Sequence, residues 1–394
     1  MKFYDIKLKK GREESLKRFH PWIFSGAIKS IDKNIIEGSF VRVLSFDNEL
    51  IGYGYYQIGS IAVKMLTFGN LPIDEKLIEN RVRSAWDLRQ KFGFTQNRET
   101  NVFRLIFAEG DLLPGVIADY YNGTVVLQFY TVAMFNIREI IKKSLIDVLG
   151  EKLKCIYDKS SSTLPFKANV TPNDGYIYGK ESGNEVSEYG YKFLADWELG
   201  QKTGFFIDQR ENRKLLENYS KGRSVLNMFC YTGGFSFYAM AGGAKRVTSV
   251  DISKRAIELT NKNVELNFPN DERHEAVVAD AFDYLKENGK NYDLIILDPP
   301  AFSKHKSSIK QAMVGYRRLN TIAFNNIKPG GIIFTFSCSQ NIDKQAFKTA
   351  VFTAAAKSGR NVRVVEHLSQ PVDHPINIFH PEGEYLKGLI LYVE

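Results

Sequence analysis

Ser224-Val225-Leu226-Asn227-Met228-Phe229-Cys230-Tyr231-Thr232-Gly233-Gly234-Phe235 reads as a strand, a tight turn and the start of a helix. A backbone without Cβ at Gly233 and Gly234 lets a ligand lie against the turn. The run is not G-x-G-x-x-G, so alone it says little about which ligand. The next apolar strand, Arg246-Val247-Thr248-Ser249-Val250, leads into Asp251 and Ile252. A carboxylate at that tip can accept hydrogen bonds from both hydroxyls of a ribose. Asp251 also suits the N-cap of a helix that begins nearby. A third strand leads into Asp280-Ala281-Phe282, where a side chain or an amide can meet a nucleoside's base. From about residue 190 onward, strands alternate with helices, the pattern of an α/β parallel sheet. Strands are expected near 224–229, 246–250, 275–279, 293–297, 331–336, 362–367 and 388–393.

Leu297-Asp298-Pro299-Pro300-Ala301-Phe302 ends another apolar strand, and Phe334-Thr335-Phe336-Ser337-Cys338-Ser339 ends a further one. Nicotinamide dinucleotides and S-adenosylmethionine both fit the strand, turn, helix and acid layout. The Asp-Pro-Pro turn favours the second. A proline pair makes a stiff, extended edge, and its carbonyls and the carboxylate can grip the amino edge of a base. A thiol and this turn at two strand ends predict one site that holds a flat heterocycle and attacks it with sulfur. The attack needs the thiolate, and a free cysteine near ~8.5 is mostly protonated at about pH 7. Cys155 and Cys230 are expected to be buried, inert hydrophobes.

The 394 residues allow two or three domains. Hydrophobic content of 44% and charged content of 25% are ordinary for a globular chain. No apolar run has the length a membrane helix needs, and the start, Met1-Lys2-Phe3-Tyr4-Asp5, does not read as a secretory signal. Three cysteines are too few and too sparse for a disulfide framework, so reduced thiols and a cytoplasmic location are expected. The six histidines show no metal-ligand spacing. Net charge of +8 favours an anionic partner. Arg12, Lys17 and Arg18 belong to a basic N-terminal arm, and Lys304 and Lys306 follow the Asp-Pro-Pro turn. Both groups are expected to meet RNA phosphates, against the plainer reading of a solvated surface.

Residues 1–70 read as short strands punctuated by glycine, and a small β-barrel fits them. Leu71-Pro72-Ile73-Asp74 looks like a linker, and Asp74 should N-cap a helix reaching about Phe92. A central domain is expected over 74–188, and the stretch 102–190 alternates strand, helix and strand. Asn122-Gly123 is a hairpin turn between Ile117-Ala118-Asp119-Tyr120 and Val125-Val126-Leu127-Gln128-Phe129. A helix is expected over about 134–149. The parallel sheet takes residues 189–394.

Gln201-Lys202-Thr203-Gly204-Phe205-Phe206-Ile207-Asp208-Gln209-Arg210 resembles a signature of one group of class I methyltransferases. Together with Asn227 to Phe235 and the Asp-Pro-Pro-Ala-Phe turn, it makes the whole chain similar to the bacterial 23S ribosomal RNA cytosine-5 methyltransferase I family. His20-Pro21-Trp22-Ile23-Phe24 resembles that family's PUA domain. Ala108-Glu109-Gly110-Asp111-Leu112-Leu113-Pro114-Gly115 resembles its central domain. The resemblance implies three parts: an N-terminal PUA-like β-barrel, a central α+β domain, and a C-terminal Rossmann-like class I methyltransferase sheet. It implies S-adenosylmethionine as donor and RNA, in this family 23S ribosomal RNA, as acceptor. A monomer and a homodimer both stay open.

On this reading Cys338 adds to carbon 6 of a cytosine and Asp298 bonds ring nitrogen 3. Phe229, Tyr231, Thr232, Gly233, Gly234, Asp251, Ile252, Asp280, Ala281, Asp298 and Pro299 line the cofactor. By family analogy Gln209 and Arg210 lie near its methionine end. Many RNA cytosine-5 methyltransferases have a second cysteine just after the Asp-Pro turn. Here Ala301 and Phe302 follow Pro300, an absence the resembled family shares. Two rivals remain: an RNA methyltransferase acting on an exocyclic amine (guanine N2 or adenine N6), and a non-catalytic RNA-binding assembly factor.

Overall fold

The protein is described by a computed structural model covering residues 1–165, 170, 172–180, 183–303 and 308–394. The chain divides into two compact units. The first holds Met1–Ser187, Ala195–Ile207 and Val372–Gly383. The second holds Glu188–Leu194, Asp208–Pro371 and Glu384–Glu394.

In the first unit, strands β1 (Phe3–Leu8), β2 (Trp22–Phe24), β3 (Ile28–Ile31), β4 (Phe40–Leu44), β5 (Leu50–Tyr56) and β6 (Ile61–Phe68) form one sheet. Its order is β2-β6-β5-β4-β1-β3, and β1 and β4 are its parallel pair. A one-turn helix, α1 (Glu14–Lys17), carries part of the basic arm. Asp74 caps α2 (Glu75–Lys91), accepting from the Leu77 N–H at 2.7 Å. Ile78, Val82, Ala85 and Trp86 form the buried face of α2.

A second sheet runs β11-β10-β9-β8-β7, from β7 (Val102–Phe107), β8 (Val116–Tyr121), β9 (Thr124–Phe129), β10 (Cys155–Asp158) and β11 (Gly175–Tyr178). The β8–β9 hairpin turns at Asn122 (φ 47°) and Gly123 (φ 104°), the positive φ pair that Asn-Gly favours. The helix expected over 134–149 is two helices, α3 (Val132–Asn136) and α4 (Arg138–Leu149). They break at Ile137, whose ψ of 18° leaves the helical range. Short strands β12 (Glu185–Glu188) and β13 (Tyr191–Leu194) follow.

The second unit opens with α5 (Arg210–Ser220). Then come β14 (Ser224–Met228), α6 (Gly234–Ala241), β15 (Arg246–Asp251), α7 (Lys254–Asn267), β16 (His274–Val278), α8 (Ala281–Asn288), β17 (Leu294–Leu297), α9 (Ile309–Asn326), β18 (Gly331–Ser337), α10 (Lys344–Ser358), β19 (Val362–Ser369) and β20 (Lys387–Val393). The sheet order is β16-β15-β14-β17-β18-β20-β19. Its first five strands are parallel, and β20 runs antiparallel between β18 and β19. Every residue of β14, β17 and β18 is buried, because helices cover both faces of a parallel sheet. Each fully buried aliphatic or phenyl side chain contributes roughly 1.5–3 kcal/mol. The chain reverses its winding between β14 and β17, so a ligand crevice is expected at the carboxyl ends of those strands.

Candidate active site

The tip of β14 is held open by backbone geometry. Phe229 (φ 58°), Tyr231 (φ 48°) and Gly233 (φ 76°) all lie in the left-handed region. The main chain of this turn is held by bonds from both flanks. The Cys230 N–H donates to the Val250 carbonyl at 3.1 Å, and Thr260 Oγ1 donates to the Tyr231 carbonyl at 2.9 Å. A Cβ on Gly233 would stand 2.7 Å from Thr260 Cγ2, so the turn needs glycine for space as well as for φ. Thr232 is buried, and its carbonyl accepts from Asn263 Nδ2 at 2.9 Å.

Asp251, at the tip of β15, accepts from the Tyr231 N–H at 3.1 Å and from the Ser253 N–H at 2.9 Å. It is not the cap of α7; Ser253 is, through the Ala256 N–H. Asp251 thus has a fixed orientation beside the β14 turn. Ile252 next to it is 74% exposed, an apolar face a flat ring can cover. Asp280 is spent differently: its carboxylate caps α8, accepting from the Phe282 N–H at 2.9 Å. Ala281 is buried in the first turn of α8, so what this tip presents to a ligand is backbone and the rim of Asp280.

Asp298 follows β17, and Cys338 follows β18, the neighbouring parallel strand. The Cys338 sulfur lies 3.9 Å from the Pro299 carbonyl. The two loops are also tied by the Ser303 N–H, which donates to Ser339 Oγ at 3.3 Å. Tyr316 on α9 sits over them, its hydroxyl 2.9 Å from Ser339 Oγ and its ring 4.7 Å from that of Phe302. The thiol and the Asp-Pro-Pro turn are therefore in one place. Cys338 keeps part of its surface exposed, whereas Cys155 and Cys230 are buried.

Burial raises both the acid and the thiol, and the acid raises the thiol further. Burial pushes Asp298 up to about 7, and Asp208 adds to this; a bond from Gln209 and the charge of Arg213 oppose it. Burial also pushes the Cys338 thiol up to about 12, with Asp298 and Asp208 adding and Lys387 opposing. At neutral pH the site therefore holds a protonated thiol and a carboxyl that is close to half protonated.

Gln209 and Arg210 lie at the start of α5. Gln209 reaches Asp298 and accepts from Asn212 Nδ2 at 2.6 Å. The Arg210 side chain is fully buried, and its Nε donates to Glu211 at 3.2 Å. The basic N-terminal residues Arg12, Lys17 and Arg18 are exposed, in the first unit. Lys304 and Lys306 lie outside the described residues.

Four residues that sequence reasoning passed over complete the site. Asp208 accepts from the Tyr385 hydroxyl at 2.6 Å, while its other oxygen is buried without a hydrogen-bond partner among the described residues. Arg213 forms a two-bond pair with Glu188 at 2.8 and 2.7 Å, and its side chain packs against Gly234. Lys387 is 3% exposed. Asp208 could have been suspected from its place in the Gly-Phe-Phe-Ile-Asp-Gln-Arg run; the others carry no local signal.

The chain matches the S-adenosylmethionine-dependent methyltransferase family over residues 176–388 and a PUA-like domain over 6–68. It is 37% identical over 98% of both chains to ribosomal RNA large subunit methyltransferase I of Aeromonas hydrophila. It is 38% identical to the protein of the same name from Shewanella frigidimarina, over 98% of this chain and 99% of that one. The chain belongs to the ribosomal RNA large subunit methyltransferase I family. Among solved structures it resembles a Streptococcus mutans chain assigned as an S-adenosylmethionine-dependent methyltransferase, with TM-score 0.85, 25% identity and 99% and 100% coverage. A further solved methyltransferase assignment, in complex with SAH, gives TM-score 0.86 at 25% identity, with full coverage of both chains. The enzyme is an S-adenosylmethionine-dependent methyltransferase with a PUA-like N-terminal domain and a class I sheet.

The residues present fit that cofactor. The Gly233 turn leaves room against the backbone, Asp251 is oriented to take ribose hydroxyls, and Ile252 offers an apolar face. The buried, unpartnered oxygen of Asp208 suits an ammonium group. Among the described residues no helix is long and apolar enough to cross a membrane.

Proposed function

We propose that this enzyme methylates carbon 5 of a cytosine in large-subunit ribosomal RNA through a covalent adduct at Cys338. The observation that carries the reading is the partly exposed Cys338 thiol beside the Asp298-Pro299 turn, 3.9 Å from the Pro299 carbonyl. The names of the curated relatives support the ribosomal RNA substrate.

Carbon 5 of cytosine is a weak nucleophile. The Cys338 thiolate adds to carbon 6, and the ring's electrons shift so that nitrogen 3 takes up a proton. Asp298, with its carboxyl near 7, is the donor: half of it still holds a proton at neutral pH. Carbon 5 is now enamine-like and reactive. When bound, S-adenosylmethionine supplies an activated methyl group on its sulfonium. Carbon 5 then gives its proton to water, the C5–H electrons re-form the ring double bond as sulfur leaves carbon 6 as the thiolate, and nitrogen 3 returns its proton to Asp298. Asp251, the β14 turn and Ile252 hold the nucleoside half of the cofactor, while Asp208 and Gln209 face its amino acid half.

Residues 1–70 form the RNA-gripping module, 74–188 the connecting module and 189–394 the methyltransferase module. Arg12, Lys17 and Arg18 engage phosphates, and the target base is extruded from its helix into the site.

Cys338→Ala is expected to abolish methyl transfer to RNA while leaving S-adenosylmethionine affinity within about twofold. RNA carrying 5-fluorocytidine should form a stable covalent complex with the wild type and none with Cys338→Ala. Wild-type methylation rates in Cys338→Ala would overturn the reading and point to an exocyclic amine as the acceptor.

A further inference from the structure

The thiol at Cys338 is expensive to ionise, since it is largely enclosed and two carboxyl groups, Asp298 and Asp208, act on it. A nucleophile in such a place needs a cation nearby. β20 supplies one. It pairs antiparallel with β18 in a register that sets Lys387 opposite Ser337, the residue before Cys338. Lys387 is 3% exposed, and its ammonium donates to the Ser339 carbonyl and to the Tyr385 carbonyl, each at 2.7 Å. One N–H of the three is left without a hydrogen bond among the described residues.

The bland account is a lysine that staples β20 to the β18 loop. That account does not explain why a charge is used, since burying an ammonium on neutral carbonyls is costly. We propose that Lys387 is a positioning residue for Cys338, its ammonium fixed by two carbonyls beside the sulfur so that the thiolate which attacks the base is stabilised. This rests on Cys338 being the nucleophile. The thiol's proton goes to water, the ammonium keeps its own protons, and the sulfur–carbon 6 bond forms from the thiolate's electron pair.

Several charged or titratable groups surround the pair. Asp298, Asp208 and Tyr316 face the sulfur. Asp343, Glu384 and Lys344 face Lys387. Among the described residues Lys387 is the cation that acts on the sulfur, and although burial lowers it to about 8, it is still largely an ammonium at pH 7.

The test is the rate at which iodoacetamide alkylates Cys338 in the full chain at fixed pH 7.0, mapped by peptide mass spectrometry to separate it from Cys155 and Cys230. Lys387→Met and Lys387→Gln are expected to slow alkylation about tenfold, as loss of a neighbouring cation raises a thiol by about one pKa unit. Lys387→Arg should stay within about threefold of the wild type and retain methyl transfer, with cofactor affinity unchanged. Thermal melts establish that each variant is folded. Glutamine keeps a donor for the carbonyls, so it isolates the charge if methionine unfolds the strand. Alkylation at wild-type rate in a folded Lys387→Gln or Lys387→Met overturns the proposal, and so does failure of Lys387→Arg to differ from them. An active Cys338→Ala would instead sink the nucleophile reading and leave the alkylation rates as they are, so the two failures are distinguishable.

Discussion

Asp298 concentrates the site's pH behaviour in one carboxyl group. Its folded value of about 7 lies above the ordinary carboxylate value near ~4. A raised acid stabilises the fold fully below its unfolded value. As pH climbs from there through about 7, the unfolded chain releases the proton first, and that stability is lost. Asp298→Asn has no proton to lose. Its stability relative to the wild type should therefore improve between pH 5 and pH 8, by on the order of 2 kcal/mol. The same amide cannot protonate nitrogen 3, so methyl transfer should fall by about two orders of magnitude or more. Thermal melts of both proteins across that pH range decide it. A stability difference that stays flat with pH would mean that Asp298 is ionised in the fold and cannot act as an acid.

At the scale of elements, the sequence was readable where a local pattern states its own reason. β14, β17 and β18 are unbroken apolar runs because they are buried on both faces. Asp74 and the Asn122-Gly123 turn are local signals, and both act as their chemistry predicts. What stayed hidden depends on pairing between distant segments. Nothing near Lys387 in the sequence says that β20 will run antiparallel beside β18. Arg210 sits in a signature run, yet its fully buried side chain is fixed by the fold around α5. The turn at Ala108–Asp111 is a further case: its motif is local, but its partners come from distant strands. Glu109 is 8% exposed and accepts from Trp22 Nε1 at 2.8 Å and Lys64 Nζ at 2.7 Å. Burial works against its charge, yet Lys64, His380 and Trp22 hold it below the usual carboxylate range. The turn therefore joins β2 and β6 to the second sheet of the first unit by a buried ion pair. Glu109→Ala strands the Lys64 ammonium, whose side chain is only 13% exposed, and should cost about 3 kcal/mol in chemical denaturation. A loss below about 1 kcal/mol would show that water reaches Lys64 and that the pair is ornamental.

Over the whole molecule, charge sets how a polyanion is met. The net charge of +8 is unevenly spread: Lys2, Lys7, Lys9, Lys10, Arg12, Lys17 and Arg18 fall within the first twenty residues. Several of these cations are bonded without being neutralised. Lys7 donates to the side-chain amide of Asn48 and Lys9 to the Gly26 carbonyl, both neutral. Lys17 does meet Glu14, at 3.1 Å, but both side chains are more than half exposed, so that pair is weak and yields to a phosphate. Arm cations that contact phosphates release counterions, and each contact adds roughly 0.7–0.9 to the slope of log affinity against log salt. Reversing Arg12, Lys17 and Arg18 to glutamate should weaken binding of a ribosomal RNA fragment and flatten that slope by about 2 to 3. Folding should survive, because all three residues are exposed and α1 is a single turn. Filter binding between about 50 and 200 mM salt measures the slope directly. An unchanged slope would make the arm ordinary solvated surface and move the search for phosphate contacts to the face that carries Arg317 and Arg318 on α9.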